Sequence, residues 1–321
     1  MPVYYMEYGG AVLCSTINRY ALVTFSTQDD RNVRIRSLDF DLTVKYCLDD
    51  EPVYDGVLDL AKAAVRRVVS KDNRQGFDIC IQSDAPAGSG LGGSASLTLA
   101  LIGTLAEFAR TTLSNYELAE LAYEIERHDL KISGGKQDQY GIAFGGFNLI
   151  EFTKERIVVN PLRIDRDTLN ELECHLMLCY TGKTRLSAGL IDQQIGYYKQ
   201  GRTETVDGLK SLHALTFKMK DALLMGKLKD FAEMLDLEWR NKVKVNPNVT
   251  NPGIDEMYAV ALQNGVIGGK LLGAGGGGYL LLFCEIDKRR NVREKLEAMG
   301  GQFTDFSFVN EGLQVWCSSC A

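Results

Sequence analysis

The chain has 321 residues and a hydrophobic fraction of 45%, enough to bury a large core in two lobes. Its net charge of −6 excludes a general basic field for nucleic acid or acidic membrane. No apolar run is long enough to span a bilayer and no basic-then-apolar leader opens the sequence, so a cytoplasmic protein without nucleic-acid or membrane partners is expected.

Residues 9–25 read mainly as strand, with Val12, Leu22, Val23 and Phe25 among Thr, Tyr and Ser. Residues 33–47 predict further strands. Residues 55–70 carry Val57, Leu58, Leu60, Ala61, Ala64 and Val65 at helical spacing. Phe77, Ile79 and Ile81 then alternate with other residues, the period of a strand. A loop follows, Pro86-Ala87-Gly88-Ser89-Gly90-Leu91-Gly92-Gly93-Ser94-Ala95-Ser96, with four glycines in six residues. Leu97 to Phe108 reads as a helix. Ser114 and Glu117 form a capping-box pattern that opens a helix to about Asp129.

Gly134 to Gln139 predicts a second small-residue turn, and 141–160 predicts paired strands with Gly145-Gly146 between them. Residues 174–180 read as strand, 187–245 as long helices and 253–264 as one more. A second glycine cluster, Gly273-Ala274-Gly275-Gly276-Gly277-Gly278, sits between apolar flanks. A helix over 287–298 and two strands close the chain. A division into 1–170 and 171–321 is expected.

The first loop joins a strand to a helix start. Amides there lack partners and carry partial positive charge, and glycines admit a large anion. The loop predicts a phosphate cradle. It contains Gly88-x-Gly90-x-x-Gly93, but a dinucleotide fold needs a second parallel strand soon after, with an acidic residue about 20 positions on. Here Glu107 lies in a helix and another helix follows. Gly182-Lys183-Thr184 mimics the end of a P-loop, yet Met177 stands where that motif requires glycine. Asn248-Val249-Thr250 is a glycosylation sequon without other signs of export.

Most of the eight cysteines lie in apolar, strand-like stretches. Cys317 and Cys320 make half a zinc site, which only His128, His175 or His213 could help complete. There is no second ligand pair and no thioredoxin-like helix start, so zinc and redox readings are set aside.

A phosphoryl-transfer site needs an anion cradle, a ligand for a bridging Mg²⁺, and a carboxylate near the attacking hydroxyl. Ser94, Glu126 and Asp138 are candidates for the last two. The alternative makes Glu126 and Asp138 ordinary surface charges.

Together these motifs resemble the GHMP small-molecule kinases. Pro86 to Ala95 is similar to that family's P-x-x-x-G-L-G-S-S-A loop, with Gly93 in place of the first serine. Lys270 to Gly278 is similar to its C-terminal glycine motif, and Gly134 to Gln139 to the segment that carries its catalytic aspartate. Glu7 to Val12, Ile125-Glu126-Arg127, Gly135 to Tyr140, and Tyr180-Thr181-Gly182 with Arg185 resemble the branch acting on D-glycero-D-manno-heptose 7-phosphate. The resemblance implies an α+β, two-lobed fold with the active site in the cleft between lobes, and ATP-dependent phosphorylation of a sugar's anomeric C1 hydroxyl. Asp138 would be the base or hydroxyl-orienting carboxylate, and Ser94 and Glu126 the Mg²⁺ ligands. Pro86, Gly88, Ser89, Gly90, Leu91, Gly92, Gly93 and Ser94 would hold the nucleotide phosphates. Lys183, Arg185, Gly275 and Gly276 would meet the sugar phosphate.

A fucose- or galactose-type sugar-1-kinase and a non-catalytic kinase-like binding protein stand as alternatives. The family carries a strand with an R-x-x-x-x-G-G-G-T-D-like motif before the segment matching Pro2 to Tyr8, whereas the sequence given starts at Met1. A sheet without that strand is expected to have an unpaired edge, which leaves a homo-oligomer open.

Overall fold

The computed structural model describes residues 1–70, 72–86, 88–182 and 188–318. In chain order the elements are α1 (Pro2–Tyr8), β1 (Gly10–Ile17), β2 (Ala21–Gln28), β3 (Asn32–Ser37), β4 (Leu42–Cys47), α2 (Asp59–Val68), β5 (Gly76–Ser83), α3 (Gly93–Phe108) and α4 (Asn115–Glu124). A π-helical turn, Ile125–Asp129, extends α4. Then come α5 (Gln137–Phe144), β6 (Phe147–Phe152), β7 (Ile157–Pro161), α6 (Arg166–His175), β8 (Leu176–Tyr180), α7 (Ala188–Lys199), α8 (Thr203–Leu224) and α9 (Leu228–Val245). The chain ends with α10 (Pro252–Gln263), β9 (Val266–Leu271), β10 (Tyr279–Cys284), α11 (Arg289–Glu297), β11 (Gln302–Thr304) and β12 (Phe308–Val309).

The strands form three four-stranded sheets, ordered β2-β5-β3-β4, β12-β1-β6-β7 and β11-β8-β10-β9. Only β3 and β5 pair in parallel among the described pairs. β5 buries Phe77, Ile79 and Ile81, the alternating residues, against α3. α3 is apolar on nearly every side and buries Leu99, Leu101, Ile102 and Leu105, so it runs through the first core rather than over its surface. A second core lies under β8, β9 and β10, with α10 and α11. A third joins α8 and α9 to Phe283, with Leu13 and Phe147 packed against it.

The chain's last strand returns to its first: Thr16 faces Val309 and Ile17 faces Phe308. Beyond it, Leu313 and Val315 lie against Gly103 of α3, where a methyl group would collide with them. Among the described residues no helix is long and apolar enough to cross a membrane.

Three local readings change. α3 starts at Gly93, inside the glycine loop, four residues before the apolar pattern begins. The capping box at Ser114 forms as expected, but the helix ends its α geometry at Glu124 and widens into the π turn. Residues 141–144 belong to α5, not to a strand, and Gly145 closes that helix with φ 69°. A short apolar run such as Tyr140 to Phe144 does not by itself separate the two periodicities.

Candidate active site

Gly92 stands at the N-terminus of α3 with φ 75° and no side chain to cap it. The opening amides of the helix therefore lack intrahelical partners, the arrangement that receives an anion. Gly88 and Gly90 also take positive φ, 74° and 84°. Ser89 folds the loop back by donating its N–H to Pro86 O at 3.1 Å. Its own carbonyl accepts from Tyr279 N at 3.1 Å, and its buried hydroxyl has no hydrogen-bond partner. Ser94 is the second residue of α3 and is exposed.

The second glycine loop joins β9 to β10 and lies main chain to main chain on the first. A Cβ built on Gly90 would be 2.9 Å from Leu272 O and 3.1 Å from Gly273 N. Thr181, just after β8, donates its N–H and Oγ1–H to Gly278 O at 2.9 and 3.0 Å. Gly90→Ala is therefore expected to destabilise the protein by about 1–2 kcal/mol from the left-handed backbone alone, and further from the collision. A urea unfolding curve checks this; an unchanged midpoint would refute the loop contact.

Gly275 and Gly276 are buried against Val249. Gly276 already donates its N–H to Val249 O at 2.7 Å. Lys183 and Arg185 lie outside the described residues, as do Ala87 and Cys320.

Asp138 is the second residue of α5 and reaches the first loop. A Cβ built on Gly92 would stand 3.6 Å from Asp138 Cβ and 3.7 Å from its Cγ. A methyl group at Gly92 would touch the carboxylate, and a larger side chain would intrude between loop and carboxylate. The Asp138 carboxyl is open to solvent on one side and crowded by protein on the others. That crowding raises its pKa, opposed by a 3.3 Å hydrogen bond from Gln137 Nε2 and by the charge of Arg127.

Glu126 sits in the π turn at 1% exposure. Arg127 Nη1 meets its Oε2 at 3.1 Å, while its Oε1 is buried with no partner. Desolvation raises its pKa, and Arg127 opposes that rise. Thr98 and Gln139 lie beside it and also favour its charged form, without satisfying Oε1. Thr98 belongs to α3, one turn beyond Ser94, whose carbonyl it bonds at 2.9 Å. The loop, Glu126 and Asp138 are thus brought to one place, and Glu126 is not a surface charge.

Two residues that the sequence left without a role organise this region. Arg127 also donates to Ile132 O at 3.1 Å and to Gly135 O at 3.3 Å, stapling the turn that leads to Asp138. A side chain at Gly134 would displace the guanidinium, which occupies that space. Lys136 anchors the same turn: its ammonium contacts Glu120 Oε2 at 2.8 Å and lies 4.3 Å from the centre of the Tyr123 ring. Tyr140 donates to the same Glu120 at 2.9 Å. Only its place next to Glu126 in the sequence pointed to Arg127, and the π turn that aims it has no sequence signal.

Among the described residues no three His, Cys, Asp or Glu side chains gather into a metal cage. Mg²⁺ in phosphoryl-transfer sites needs none, since one or two carboxylates and the substrate phosphates hold it. The unpaired Oε1 of buried Glu126 suits such a site.

Residues 59–146 match the N-terminal domain of the GHMP kinases, and residues 219–302 match their C-terminal domain. The chain is 37% identical to D-glycero-alpha-D-manno-heptose 7-phosphate kinase of Campylobacter jejuni, over 98% of this chain and 93% of that one. The crystal structure of a D-glycero-D-manno-heptose 1-phosphate kinase from Bacteroides thetaiotaomicron superposes with a TM-score of 0.79 at 30% identity, covering 98% of this chain and 93% of that one. Lactococcus lactis galactokinase, complexed with galactose, shares the fold with a TM-score of 0.77 at 20% identity, over 96% and 90% of the two chains. With both domains present in order around the facing glycine loops, the chain belongs to the GHMP kinases.

Proposed function

We propose that this kinase transfers the γ-phosphoryl group of ATP to the anomeric C1 hydroxyl of D-glycero-D-manno-heptose 7-phosphate, giving the 1,7-bisphosphate. The observation that carries the reading is the close approach of Asp138 to Gly92, with room for little more than a methyl group between them, which sets a carboxylate beside the amides suited to phosphate. Identity of 37% along nearly the whole chain to a heptose 7-phosphate kinase supports the choice of sugar.

The backbone of Gly88 to Gly93, entered from Pro86 and including Leu91, holds the nucleotide phosphates. Asp138 orients the sugar hydroxyl and accepts its proton as the oxygen bonds to the γ-phosphorus and the bond to the β–γ bridging oxygen breaks, releasing ADP. A raised carboxylate pKa makes it a better base than an ordinary aspartate. Glu126 and Ser94 are the residues that would hold Mg²⁺, which when bound neutralises charge on the phosphates. Lys183 and Arg185 grip the 7-phosphate. Gly275 and Gly276 let the second loop lie close, Gly276 by shape alone because its N–H is committed to Val249.

ADP release over a panel of heptose 7-phosphate, heptose 1-phosphate, fucose and galactose tests the substrate. Turnover with heptose 7-phosphate at least about 100-fold above the unphosphorylated sugars is expected, since unpaired phosphate-binding groups penalise a sugar that lacks the phosphate. Preference for fucose or galactose would replace the sugar, and nucleotide binding without turnover on any of them would replace catalysis with a binding role.

A further inference from the structure

Lys242 lies in the last turn of α9, half-buried beneath the second glycine loop. Its ammonium donates to Leu271 O at 2.8 Å and to Gly273 O at 2.7 Å. Those carbonyls flank Leu272, the residue whose own carbonyl abuts Gly90 of the first loop. One side chain therefore grips the second loop on both sides of its contact with the first. Both bonds are charge-assisted, and the position near the helix C-terminus favours a cation.

The surroundings show that this cation is held for its position rather than as one partner of an ion pair. Among the described residues its hydrogen bonds go to carbonyls only. The neighbouring Glu238 is engaged by Lys270, at 2.8 Å from Oε1. Burial first, and then the charge of Lys270, lower the Lys242 pKa to about 7 against the opposing charge of Glu238. The fold thus keeps an amine here against a solvation cost. A neutral amine retains two N–H donors, so the grip on the two carbonyls survives titration.

We infer that Lys242 is a positioning residue for the nucleotide: by holding Leu271 O and Gly273 O it keeps the second glycine loop against Gly90 and so sets the shape of the phosphate loop. This rests on the reading of residues 88–94 as the nucleotide site. On the sugar side of the cleft, Asp138 and the 132–136 turn are built from α4, α5 and the π turn, which Lys242 does not touch, while Gly275 and Gly276, farther along the second loop, are held by Val249.

Calorimetric titration with Mg²⁺ and a non-hydrolysable ATP analogue tests it, beside steady-state kinetics. Lys242→Met is expected to weaken analogue binding about 10- to 100-fold, the range for losing hydrogen bonds to a charged group, and to raise KM for ATP similarly. KM for the sugar phosphate changes much less than KM for ATP, and Lys242→Arg, which restores donors, recovers most of the affinity. Should Lys242→Met fail to fold, Lys242→Gln, too short to reach both carbonyls, takes its place with the same expectation. Analogue affinity equal to wild type in either variant, or equal losses in both KM values, overturns the inference. Failure of the wild-type protein to bind the analogue overturns the nucleotide site itself.

Discussion

Asp138→Asn lowers kcat by about 10²–10⁴-fold, the contribution of a positioned acid–base group, while the ATP analogue still binds. The substitution keeps the shape of a side chain that packs beside Gly92 and removes its charge and proton affinity. Nucleotide affinity is expected to hold or rise, because a carboxylate near the phosphates repels them in the ground state. In the wild type, kcat falls as pH drops through the raised pKa of Asp138, since protonation removes the base. The asparagine variant lacks that acidic limb. A pH series of both proteins checks the pair of outcomes, and an undiminished rate in Asp138→Asn would take the residue out of the reaction.

Glu126→Gln is expected to separate activity from stability. Activity falls on the order of 100-fold, as for groups that hold or orient a metal. The ligand-free protein nevertheless becomes as stable as wild type or more so near neutral pH. The reason lies in the sign of the pKa shift. Glu126 has its folded pKa raised, mainly by desolvation. Its contribution to stability is therefore present below the pKa of the unfolded chain and is lost as pH rises through the folded pKa. At neutral pH the ligand-free fold carries a buried carboxylate whose Oε1 nothing satisfies. Glutamine removes that charge, and Arg127 keeps Ile132 O and Gly135 O as acceptors. Thermal melts from pH 5 to 8 should show the variant's advantage growing with pH. A variant less stable than wild type at pH 8 would mean that the Arg127 pair outweighs desolvation.

The elements with a clean period were legible in the chain itself. Phe77, Ile79 and Ile81 alternate and are buried in β5, and Ser114 and Glu117 close a capping box at the start of α4. The two glycine loops were legible for a different reason. Seven of their glycines, from Gly88 to Gly278, sit at positive φ where other residues are strained, so the composition records the backbone shape. Residues 141–144 were not legible as helix because four or five apolar residues fit either period, and the packing of Tyr140 and Ala143 into the first core decides for α5.

The order of motifs, the glycine loop at the start of α3 and the choice of Asp138 and Glu126 as candidate acids came from the sequence alone, because each depends on residue type and local spacing. Convergence depended on tertiary structure. Asp138 meets Gly92 across 46 positions of chain, Arg127 turns onto Gly135 through a π turn, and Lys242 reaches under a loop some 30 residues away. Such contacts come from how helices pack around α3 and how β9 and β10 present their loop. No local period or propensity encodes them, because the forces that bring the groups together act between segments distant in the chain.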